Sequence, residues 1–398
     1  MINRPSAFKM SPVAAGVLTL LGAVSLPAHA ANWQVGDATI SLDSTFTLAT
    51  SIRTESRDYS LIGNSNHAQF DWSGYHAAFN PLYASSDVWA LADGGYSTNG
   101  DLGNLSHDPG DAFATQISGS HELDINFGDY GFFARGFWFY DFEQMDGDRP
   151  YSNPITGVQH DLCEDPAAED LLCTDVRLYD AFFYGDWWIG DKPFTLRVGR
   201  QVISWGESTF IQGGINSVNP VDASAFRKPG AELKEGLLPV NMFYTSIGLT
   251  GEITLEAFYQ LEWDHTRSDP CGTFFSTVDF VADGCGPVIL GGASDELAIL
   301  ALRDLEIESG IPLANRAAPV TERIEDEEPS DSGQYGMAVR WYSEALGDTE
   351  FGFYYMNIHS RLPYINGVIT NQDRLGVLTG TPDMEVNEDA SYNTYRPP

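Results

Sequence analysis

Along much of the chain apolar and polar residues alternate one for one, the period of a strand that keeps one face away from water. The pattern predicts nine strands, at 38–54, 112–127, 131–142, 176–188, 193–205, 240–249, 252–264, 333–345 and 349–362. Two are clearest. Phe113, Ile117, Leu123, Ile125 and Phe127 oppose Gln116, Ser118, Ser120, Glu122, Asp124 and Asn126; Ile253, Leu255, Ala257 and Tyr259 oppose Thr254, Glu256 and Gln260. The third strand is aromatic on both faces with Arg135 among them, and the fourth leaves its register open.

The connections between these strands alternate strictly between long (55–111, 143–175, 206–239, 265–332) and short (128–130, 189–192, 250–251, 346–348). Long outside loops and short inside turns are the pattern of an outer-membrane barrel. Trp138, Tyr140, Trp187, Trp188, Trp205, Trp263 and Trp341 near strand ends fit its aromatic girdles. A soluble β-sandwich shares the alternation of residues but does not usually segregate its connections so regularly. The expected fold is therefore all-β: an antiparallel transmembrane outer-membrane β-barrel with long extracellular loops and one inward-folding loop. Nine strands is odd where single-chain bacterial barrels are even, and no closing strand follows the ninth. Residues 31–398 thus read as the N-terminal part of a longer barrel domain.

Residues 1–30 read as an export signal, with Arg4 and Lys9 before the apolar run from Val13 to Leu26 and Ala28-His29-Ala30 as the cleavage site. This places the chain in the outer membrane of a Gram-negative bacterium. Beyond that run no stretch has the ~20 apolar residues of a membrane helix. With 21 basic and 56 acidic residues the formal charge is −35. So acidic a chain is not suited to nucleic acid, whose phosphates call for a basic surface. Four cysteines form two local pairs, Cys163/Cys173 and Cys271/Cys285. In an exported chain these read as disulfides, each stapling an outside loop.

The 34 residues at 206–239 hold the strongest candidate site. Structureless loops of this length are uncommon in a folded domain and usually functional, and the apolar residues here argue for packing rather than disorder. Arg200, Glu207, Asp222, Arg227, Glu232, Lys234 and Glu235 gather mixed charge, Asn216 and Asn219 add amides, and Trp205 and Phe226 add flat apolar surface. Such a loop can fold into a barrel mouth and orient an amphiphile with a charged end; equally, its charges can form a salt-bridge network that only holds it still. Opposite the apolar faces, Gln116, Glu122, Asp124, Arg197, Glu256, Gln260, Glu262, Arg340 and Glu344 are expected to line the lumen, either tuning selectivity or simply solvating the interior.

Other signals are weaker. Ser294 to Glu308 reads as a capped amphipathic helix within the fourth long loop. Asp146-Gly147-Asp148 offers two carboxylates without the full spacing of a calcium loop, so no metal and no cofactor are expected. The chain carries no G-x-S-x-G, H-E-x-x-H or P-loop motif. A lipase embedded in the barrel wall would need His and Ser together on the lipid face, and His121 lies opposite in parity to Ser118 and Ser120. An enzyme is not expected.

The segments GRQVISWGES (199–208), IQGGINSVNPVD (211–222) and KPGAELKEGLLPVNM (228–242) resemble a proteobacterial outer-membrane family, domain-of-unknown-function family 1302. LEAFYQLEW (255–263), DPCGTFFSTVDF (269–280), GNLSHDPGDAF (103–113) and SGSHEL (118–123) extend the resemblance over most of the chain. It implies a longer barrel that exports or takes up hydrophobic compounds, often beside a resistance-nodulation-type inner-membrane exporter. It supplies no catalytic residue. The partners so implied are outer-membrane lipid and lipopolysaccharide, a hydrophobic or amphiphilic small molecule, and that exporter. The alternative is a structural or docking barrel whose stapled outer loops bind a partner.

Overall fold

The computed structural model describes residues 31–58, 103–147, 168–206, 214–278 and 326–367, with short pieces at 24–26, 100, 151–152, 159–160, 162–164, 280–282, 285, 288–289, 320–323 and 391–393. All nine expected strands are present: β1 (Ala38–Ile52), β2 (Ala112–Asn126), β3 (Tyr130–Asp141), β4 (Thr174–Ile189), β5 (Lys192–Gln201), β6 (Val240–Gly248), β7 (Ile253–Gln260), β8 (Gln334–Ser343) and β9 (Thr349–Asn357). They pair in chain order, every neighbour antiparallel, and the segments Val24–Leu26 and Ala31–Val35 run along the free edge of β1. The sheet is open, with that edge and β9 at its two ends. No described helix is long and apolar enough to cross a membrane.

Because every register is known, the two faces can be read straight across the sheet. One row runs Leu42, Leu123, Ala134, Ala181; beside it Ile40, Ile125, Phe132, Phe183, Val198, Phe243, Tyr259, Tyr335 lie on the same face. That face is apolar over all nine strands and, among the described residues, stays uncovered, with Val176 83%, Phe183 67% and Phe353 60% exposed. The opposite face carries Ser118, Ser120, Glu122, Asp124, Arg135, Arg197, Glu256, Gln260 and Arg340.

The open register of the fourth strand has a cause. Between Ala134 and Gly136 the pairing of β3 with β4 shifts by one residue. Arg135 therefore faces both Tyr179 and Asp180, a β-bulge that flips the parity of β4 midway: Val176 and Leu178 point outward before it, Ala181, Phe183 and Trp187 after it. Arg135 uses the extra residue, pairing with Asp180 at 2.6 Å while its guanidinium lies 5.2 Å from the Tyr179 ring centre.

Both disulfides form as expected, Cys163–Cys173 and Cys271–Cys285, with Cα atoms 6.1 and 5.9 Å apart. The expected helix at 294–308 lies outside the described residues.

Candidate functional site

Residues 203–206 and 214–238 lie on the polar face, at the end of the sheet from which the long connections leave. The aromatic inner side of β3 is explained by this: Phe137 and Phe139, with Tyr179, are buried against Leu238 of the loop. The loop reaches nearly every strand. Gly230 packs on Thr47 and Ala49 of β1, and Lys234 pairs with Glu122 of β2 at 2.9 Å. The Tyr179 hydroxyl of β4 donates to the Glu235 carbonyl at 2.8 Å, and Gln260 of β7 donates to the Val218 carbonyl at 2.9 Å. At the far side Trp205 packs against Phe258 and Tyr354.

The first half of the loop is an apolar plug with its polar groups closed off. Trp205 and Val218 are fully buried with Ile203, Val240, Met242, Phe258 and Ala338. Glu256 sits at its centre and accepts from Trp205 Nε1 (2.7 Å), Tyr244 Oη (3.0 Å) and Arg340 Nε (2.9 Å), so its buried carboxylate is fully satisfied. Asn219 bridges the chain upstream: its Oδ1 accepts from Ile203 N at 3.1 Å and its Nδ2 donates to the Ile203 carbonyl at 2.5 Å. Asn216 donates to the Gly206 carbonyl, tightening the same turn. Arg361, beyond β9, donates to Gln260 Oε1 at 2.6 Å and to the Val218 carbonyl at 3.3 Å; burial lowers its pKa to about 10.

The second half carries the charge. Asp222 is fully buried and accepts from Arg177 (3.1 Å), Ser224 Oγ (2.5 Å) and the Ala225 amide (3.1 Å). Arg227 pairs with Asp269 of the stapled loop and donates to the Phe275 carbonyl at 3.3 Å. Lys234 holds both Glu122 and Glu232. Two charges remain. Burial raises the Glu235 carboxyl to about 7, and burial lowers the Lys228 ammonium to about 8. Lys228 Nζ lies 3.6 Å above the Phe139 ring.

Of the expected lumen positions, Gln116, Glu122, Asp124, Arg197, Glu256, Gln260 and Arg340 do share the polar face. Arg197 sits below the loop toward the short turns, between the rings of Phe182 and Tyr244. Glu262 lies just past β7 and pairs with Arg200 at 3.0 Å while accepting from the Asn241 amide. Glu344 does not line the face: it begins the exposed turn Glu344–Leu346, because β8 stops at Ser343 and the chain must reverse within a few residues. Glu207 lies outside the described residues, as does Asp148; Asp146 accepts the Tyr140 hydroxyl at 3.0 Å.

Sequence reasoning passed over Arg177, Tyr179, Lys228 and Arg361 as site residues. Arg177 hides on the far side of the bulge, where simple alternation assigns it no face.

On the apolar face His121 meets Ser44, not Ser118 or Ser120, at 2.8 Å. Trp138 Nε1, which can only donate, gives its hydrogen to His121 Nε2 at 3.1 Å. The neutral ring must then carry its proton on Nδ1 and donate to Ser44, the reverse of what a general base for that serine requires.

The inward loop, its strand partners and the stapled segment 269–280 are the stretches that carried the family resemblance. The family's sequence model matches residues 11–397. The chain belongs to the DUF1302 family, described as "Protein of unknown function". No curated protein and no solved structure matches it.

Proposed function

We propose that this DUF1302 chain is the wall and gate of an outer-membrane β-barrel that passes or delivers hydrophobic or amphiphilic compounds, in cooperation with a resistance-nodulation-type exporter. The observation that carries this reading is the division of the sheet into an exposed apolar face nine strands wide and a polar face half covered by one loop. Exposed apolar area on that scale calls for lipid or a partner. Strands of eight to sixteen residues suit a membrane-spanning strand of about ten. In lipid the free edges would leave backbone groups unsatisfied, so closure into a barrel goes with the membrane reading.

In this account the export signal at 1–30 delivers the chain, and the 206–239 loop constricts the interior at its outer end. Deleting Gly213 to Lys234 is expected to raise permeation of a hydrophobic dye into proteoliposomes while membrane insertion persists. Unchanged permeation on an inserted barrel would remove the gating role. A docking barrel instead predicts that cutting 143–175 or 265–332 abolishes partner capture and leaves permeation alone; the two stapled loops favour keeping this second reading.

A further inference from the structure

Where the second half of the inward loop meets the two disulfide-stapled loops there is an open cleft of about 440 Å³, solvent at its mouth included. Its apolar side is aromatic. Phe113 stacks on Phe274 with ring centres 4.0 Å apart, and Phe275 meets both edge-on. Leu172 of the first stapled loop and Pro229 complete the lining.

The charges around this cleft are not equivalent. Asp141 is committed to three backbone amides, those of Thr115, Glu143 and Gln144, at 2.9–3.2 Å. Asp269 and Arg227 are committed to each other. That leaves Lys228. Among the described residues it makes no salt bridge or side-chain hydrogen bond; its ammonium has only the Phe139 ring. Asp222, Arg177, Glu235 and Asp175 face it, but Arg177 takes up Asp222 and Asp175, and the half-buried Glu235 on the adjacent helical turn makes no salt bridge with it. In a chain with a net charge of −35, a half-buried cation with neither a salt bridge nor a hydrogen bond, at the edge of an aromatic cleft, is an unusual expense.

We infer that this cleft binds an amphipathic monoanion, a carboxylate on an aromatic or aliphatic body, with Lys228 as the counter-ion of its head and Phe113, Phe274 and Phe275 against its body. The inference rests on the proposed passage of amphiphiles and names their class. A charge-assisted hydrogen bond from Lys228 would replace the missing partner, and the flat walls suit a rigid apolar body. Closeness to the long connections places the cleft where a compound would first meet the loop.

The test compares 2-naphthoate with its neutral carboxamide, titrated calorimetrically into the full chain in lipid nanodiscs at pH 7. The carboxylate is expected to bind about tenfold more tightly. Lys228→Gln should erase that preference while leaving carboxamide affinity intact, Lys228→Arg should keep it, and Phe275→Ser should weaken both compounds alike. The preference should also fade as pH rises above 8, where the ammonium deprotonates. Equal binding of the two compounds by the natural chain, binding of neither, or a preference that survives Lys228→Gln would each overturn the inference. Because binding is read without permeation, a failure here leaves the gating account standing, and a silent gate leaves the cleft standing.

Discussion

The two halves of the inward loop are built on opposite principles. At Ile203–Gly206 and Gly214–Asn219 the loop is fastened by burial: Trp205 and Val218 have no exposed surface, and the polar groups of Glu256 and Asn219 beside them are partnered. From Asp222 to Leu238 it is fastened by ion pairs, and Lys228 and Glu235 are left with shifted titrations and incomplete pairing. The first half behaves like a domain core. The second half is arranged like a site, with strain in its electrostatics that a ligand or a proton can relieve. This contrast is why the proposed gating role falls to the second half and the anchoring to the first.

The contrast breaks most sharply at the anchor. Trp205→Ala removes a fully buried ring and leaves Glu256 short of one donor, for an expected loss of about 3–5 kcal/mol and a large fall in folded yield by urea titration. Next is the hinge between the halves. Asp222→Ala strands Arg177 with only Asp175 and should cost about 3 kcal/mol, whereas replacing Arg177 and Asp222 together by Met and Leu should cost less than the two single losses combined. Removing the Cys271–Cys285 bridge, which closes a loop of 14 residues, should cost about 2–3 kcal/mol by the chain-entropy account and loosen the wall of the cleft. Lys234→Ala, which gives up two half-exposed pairs, should cost less than about 1 kcal/mol.

The titrations sharpen the same comparison. Glu235 holds its proton up to about pH 7 in the folded chain, above the 4.5 of a free carboxyl. The folded state then binds the extra proton between those values, so stability falls as pH rises from 4.5 toward 7. Lys228 gives its proton up near pH 8 rather than 10.5, so the unfolded state binds the extra proton there and stability rises again from 8 toward 10.5. Thermal unfolding across this range should show a shallow minimum between pH 7 and 8. Glu235→Gln should flatten its acid side and Lys228→Gln its alkaline side; an unaltered curve in either variant would show that the residue is solvated.

Much of this was legible in the sequence. Period-two alternation located all nine strands within a few residues, with β5, β7 and β9 ending earlier than the alternation suggests because the chain leaves the sheet there: Trp205 and Ile358 turn into the core that holds Val218, and Trp263 donates to the Ser360 carbonyl. Cysteine spacing gave both disulfides. What stayed hidden depends on single-residue events. The bulge at Tyr179–Asp180 reverses face assignment within one strand, and no local pattern announces it. Lys228 has nothing in the sequence to set it apart from the loop's other charges; the structure does so by pairing Asp222, Arg227, Glu232 and Lys234. Glu344 followed the alternation one step past the strand's end.

The central claim, a membrane pore constricted by the 206–239 loop, is tested most directly by planar-bilayer conductance of the full chain with and without residues 213–234. The account predicts a small steady current that grows when the segment is removed, because the uncovered polar face then borders a wider water path. Silence in both forms would contradict it and mean that no aqueous path lies beneath the loop.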